Sequence, residues 1–192
     1  MPLTDEELQE LAEEADIALG TIQRECGRDN VVAARIKFPR GYLHTAQSAR
    51  QQLPDIGTEV QRRNVTYALM NIDVLRWLVV RTDVSGTALS MIVKNAICIR
   101  GTILEWMTME STRGHASNRP YRQRTEHLVE LGVIDEDLKE ELDGVWDVRC
   151  REHIHESDTL EHDEYSREDY NRALRAYTAL RKALVKKHGR AF

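Results

Sequence analysis

After Ser85-Gly86, the apolar residues Leu89, Ile92, Ala96, Ile99, Ile103 and Trp106 follow one another by three, four, three, four and three positions. That spacing returns side chains to one face of a helix, whereas a strand needs alternation by two. No stretch of the chain sustains such alternation over the length of a strand. The row therefore calls for a helix that packs as a seam against other helices. Lys94, Asn95, Arg100 and Glu105 interrupt its apolarity, which places it in a bundle core or a dimer seam rather than in a membrane.

The same spacing recurs on either side. Thr4 before Asp5, Glu6 and Glu7 is an N-cap with acids in the first turn, and Leu8, Leu11, Ala15, Leu19 and Ile22 follow until Gly27. Residues 31–36 could finish a helix or make a strand, Phe38-Pro39-Arg40-Gly41 is a turn, and residues 45–53 form one more short helix ended by Pro54. From Glu59 to Arg81 the pattern is clear, with Val65, Leu69, Ile72 and Val79 in one line. A polar loop over residues 111–120 leads to a short helix at residues 121–131, closed by Gly132. Ser166-Arg167-Glu168-Asp169 caps a last helix whose core face is Tyr170, Ala173, Leu174, Tyr177, Leu180 and Leu184, up to Gly189. The expected fold is all-α, an antiparallel bundle of about five or six helices. Residues 1–57 are expected to form an N-terminal helical extension and residues 58–192 the bundle.

Composition narrows the function classes. A chain of 192 residues is long enough to bury about 70% of its unfolded surface without a metal or a disulfide. Cys26, Cys98 and Cys150 lie far apart, and an odd count with an acidic amino terminus reads as a cytoplasmic protein. A net charge of −5 argues against broad, sequence-blind binding to nucleic acid. Charge is uneven, however: Arg113, Arg119, Arg122 and Arg124 crowd one loop, where a compact anion could find a basic pocket, and Lys182, Lys186, Lys187 and Arg190 complement the dipole at the end of the last helix.

The chemically richest stretch is residues 135–156, expected to be one helix with Asp135 as N-cap. Leu138, Leu142, Val145 and Trp146 make its apolar stripe, and Arg149 falls in the middle of that stripe one turn later. A charge at a core position has to be paired, or meet a partner, or line a cleft. Asp147, Glu152 or an acid of another helix could pair it. His153 shares its face, whereas His155 lies roughly 120° away if the helix continues. Arg149 and His155 would then serve one pocket only if the helix ended near Ile154 or if two copies met.

The words Trp146-Asp147-Val148-Arg149, five residues, then His155-Glu156 resemble the signature of the HEPN families (higher eukaryotes and prokaryotes nucleotide-binding domain). In those families an Arg precedes a His by four to six positions in a late helix of a small bundle; Cys150 stands where they often carry Asn, Asp or His. By motif and element order the resemblance covers roughly residues 60–188. It implies a metal-independent endoribonuclease that needs no cofactor and acts as a homodimer, with RNA or a nucleotide as ligand, and a toxin or defence effector with an antitoxin as further partner. It implies Arg149 and His155 as the catalytic pair and Arg151, Glu152 and His153 as substrate-binding groups. The other reading is a non-catalytic helical module for nucleotide, RNA or protein binding and for dimerisation. A metal site among His153, His155, Asp158, Glu161, His162 and Asp163 is disfavoured, because on a helix His153 and His155 point about 200° apart.

Overall fold

A computed structural model describes residues 2–151 and 165–191. The chain divides into two compact units, residues 1–40 and 41–192. The first is built on helix α1, Asp5–Cys26. The Thr4 side chain accepts from the Glu7 amide while the Glu7 carboxylate accepts from the Thr4 amide, a reciprocal cap that satisfies two otherwise orphaned donors. Gly27 closes the helix, as its freedom at positive φ allows. Residues 31–36, open between helix and strand, hold a single turn of 3-10 helix at Val32–Ala34.

The second unit contains α2 (Ala46–Arg50), α3 (Glu59–Arg81), α4 (Gly86–Ser111), α5 (Tyr121–Glu130), α6 (Glu136–Cys150) and α7 (Arg167–His188). Among the described residues there is no strand, only an isolated bridge between Pro54 and Arg190. The all-α expectation therefore holds. Helix α4 is central and packs against α3, α5, α6 and α7. It is long and apolar enough to span a membrane, and its apolar residues are spent on these neighbours.

The expected seam of α4 is buried at Ala96, Ile103 and Trp106, while Leu89, Ile92 and Ile99 are only partly covered. Val93, Ile97, Leu104 and Met107 are buried as well, so the second half of α4 is covered on several faces rather than one. Each such side chain contributes about 1.5–3 kcal/mol on leaving water. Arg100 is buried among them at 2% exposure, its Nη2 3.3 Å from the Tyr170 hydroxyl and its guanidinium 4.5 Å over the Tyr170 ring.

The segment 41–57, expected with the amino-terminal extension, belongs to the bundle unit. Ala49, Leu53 and Ile56 lie in its interior. The Asp73 carboxylate on α3 accepts from the His44 amide and meets the His44 ring, both at 2.8 Å. Ala191 donates to the Leu53 carbonyl at 3.0 Å and Asp55 to that of Gly189 at 3.1 Å, clipping this segment to the end of α7. At Gly57 the backbone has φ +66° and the Trp106 ring stands 3.2 Å from where a Cβ would sit, so only glycine closes this turn on α4.

Candidate functional site

Helix α6 starts where the local signals place it: the Asp135 side chain accepts from the Leu138 amide at 2.9 Å, with Glu136 and Asp137 in the first turn. Leu142, Val145 and Val148 are buried. The helix ends at Cys150, not near residue 156 as expected, and Arg151 folds back to donate to the carbonyls of Val148 and Arg149. The Arg151 amide bonds three residues back, to Val148 at 3.2 Å, which tightens the last turn and ends the α-helical ladder; residues 152–156 of the expected helix lie outside the described residues.

Arg149 occupies the last turn. Its aliphatic stem lies on Gly101 of α4, close enough that a Cβ on Gly101 would sit 2.7 Å from Arg149 Cγ and 3.0 Å from its Cβ. The glycine is what lets the two helices approach here. Sequence reasoning missed this residue; an isolated glycine inside a strongly apolar helical run is the signal that could have found it. The Arg149 guanidinium lies 5.0 Å over the Trp146 ring. Trp146 in turn stacks on Tyr121 at 4.4 Å with the planes 4° apart, and the Arg124 guanidinium lies 5.6 Å over the other member of that pair. Two cations thus flank two stacked aromatic rings, an arrangement favoured by the negative ring faces.

Neither nearby carboxylate expected as a counter-ion for Arg149 takes that role within the described residues. Asp147 is held by Arg122, whose Nη2 lies 2.6 and 2.7 Å from its two oxygens; Glu152 lies outside the described residues. No ion pair joins Arg149 to an acid among the described residues, and its Nε is buried without a hydrogen-bond partner. Burial pushes the neighbouring Cys150 thiol up, opposed by the charge of Arg149 and its hydrogen bond to the sulfur. Tyr121 is raised strongly, first by burial and then by Asp143.

Of the residues singled out for chemistry, Arg149 and Arg151 are described, the first half-buried and the second exposed. Glu152, His153 and His155 lie outside the described residues, as do Asp158, Glu161, His162 and Asp163. Of the four arginines expected in one loop, Arg122 and Arg124 lie on α5, and Arg113, Arg122 and Arg124 are each engaged separately. Arg113 is held by Glu110 at 2.9 Å, Arg122 by Asp147, and Arg124 is buried with Nη1 on the Arg119 carbonyl at 2.7 Å. No protein-family model, no curated protein and no solved structure matches the chain.

Proposed function

We propose that the chain is a metal-independent endoribonuclease of HEPN type that works as a homodimer in the cytoplasm. The observation that supports this reading most is the state of Arg149: stacked on Trp146, half-exposed, and without a carboxylate among the described residues. A guanidinium presented in this way is suited to a phosphodiester, which it can bind with a planar fork and stabilise as charge builds on the phosphoryl oxygens.

In the proposed reaction His155 takes the proton of a ribose 2′-hydroxyl, whose oxygen attacks the adjacent phosphorus. The bond to the 5′-oxygen breaks and that oxygen receives a proton. The products are a 2′,3′-cyclic phosphate and a 5′-hydroxyl, so RNA is the substrate and DNA is not. A two-fold dimer brings a second copy of the motif and hence the second imidazole that proton return needs. Arg151, Glu152 and His153 bind or orient the flanking backbone, and an antitoxin would be the natural cover for such a site.

A second reading, a non-catalytic module for RNA, nucleotide or protein binding, is favoured by charge. Nine acids from Asp147 to Asp169 surround the motif and repel polyanions. Incubating the purified chain with RNA in excess EDTA separates the two. Cleavage by the wild type that is lost in both Arg149→Ala and His155→Ala carries the nuclease reading. RNA left intact by a folded, dimeric wild type leaves the binding module.

A further inference from the structure

Helix α1, which the proposed reaction does not use, carries an apolar stripe. Leu8, Leu11, Ala15, Leu19 and Ile22 fall in a band about 80° wide on its surface, and from Leu8 to Ile22 the stripe is about 21 Å long. No residue of α1 is buried, and Leu8, Leu11 and Leu19 are 51%, 51% and 43% exposed. Among the described residues of its unit, residues 27–40 build no further α-helix to lie against it. The helix is nevertheless well made. The reciprocal Thr4–Glu7 cap closes its start, Asp5, Glu6 and Glu7 complement the dipole, and Gln9 Nε2 donates to the Glu13 carboxylate one turn on at 3.0 Å. Most helices in proteins owe their stability to the cover of such a stripe by another element.

We propose that this stripe docks a helix of another protein, one whose own apolar stripe is bordered by Lys and Arg. Charge selects that partner. Residues 5–16 hold seven acids and neither Lys nor Arg. Glu7, Glu14 and Glu25 line one flank of the stripe and Asp5 and Asp16 the other, the positions from which paired helices exchange salt bridges. A second copy of α1 is a poor match. In parallel its acids meet the same acids, and in antiparallel they meet residues 17–26, whose single base is Arg24. RNA and anionic lipid are repelled by the same charge. The docking surface lies outside the motif helix and stands whether or not the chain cuts RNA.

The test is fluorescence anisotropy of a labelled synthetic peptide, a run of heptads with Leu at the core positions and Lys on both flanks, titrated with the full chain. Binding is expected at low salt and weakens as salt rises, because the flanking pairs are exposed. Affinity is expected to fall at least about tenfold in Leu11→Gln and in Leu19→Gln, exchanges that keep a good helix former. Ile17→Gln, on the opposite side of α1 at 71% exposure, should change nothing, and the same peptide with Glu on its flanks should not bind. Amide NMR of the wild type gives a readout that needs no variant, with the Lys peptide shifting residues 8–22. A Lys peptide that fails to bind, that binds the Leu11 and Leu19 variants as well as the wild type, or that shifts the acidic start of α6 instead of α1 overturns the proposal. So does a Glu peptide that binds equally, or self-association of the wild type that Leu19→Gln abolishes, which would give the stripe to a second copy.

Discussion

Arg149 stands against α4 through its aliphatic stem, and the geometry makes a pair of glycines a sharp comparison. Gly101→Ala would put a methyl against the rigid base of Arg149, at 2.7 Å from Cγ and 3.0 Å from Cβ. It should cost about 1–3 kcal/mol by overpacking and turn the guanidinium off Trp146, with a loss of RNA-directed activity. Gly144→Ala on α6 would meet only the far end of Arg172, a side chain that can swing away. It should therefore be neutral or gain up to about 1 kcal/mol from helix propensity. Urea denaturation of both variants checks the contrast. Arg100 offers a second test. Its Nη1 is buried with no partner, and no acid pairs it among the described residues. Arg100→Met keeps the length and drops the charge, so stability should stay level or rise by about 1–4 kcal/mol. A large loss would mean that the guanidinium is serving an unseen anion.

At the scale of elements, helix ends carry the most readable physics. Ser166 caps α7 by accepting from the Asp169 amide at 3.1 Å while the Asp169 carboxylate accepts from the Ser166 amide at 2.9 Å. Ser166→Ala should cost about 1 kcal/mol in the same denaturation assay. At the other end of α7, burial lowers the His188 pKa, with Lys187 acting in the same direction. A histidine depressed in the folded state binds fewer protons there than in the unfolded chain. Its contribution is therefore fully present above the ordinary value of about 6.5 and is lost as pH falls below it. Stability measured across that range should fall less steeply in His188→Gln than in the wild type. An equal slope would show that α7 ends in a solvated turn.

Across the whole molecule, what could be read from the residues was what local chemistry decides. The bounds of α3, the caps at Asp135 and Ser166 and the stop at Gly189 all follow from capping groups and apolar period. What could not be read depends on distant partners. Leu53, read as the end of a short helix, and Ile56 beyond it show no sign of being core until the tail at Ala191 bonds to the Leu53 carbonyl. Arg100 interrupts an apolar row, yet its place beside Tyr170 arises only when α7 folds back onto α4. At the candidate site Arg149 was legible as a charge in a core stripe, while its seat on Gly101 and its stack on Trp146 required the meeting of α4 and α6. The most direct test of the central claim is the chemistry of the RNA ends after incubation with the wild-type chain in EDTA. The account predicts 5′-hydroxyl and 2′,3′-cyclic phosphate ends, with no cut where the nucleotide before the scissile phosphate lacks its 2′-hydroxyl. Intact RNA, or 5′-phosphate ends, would contradict it.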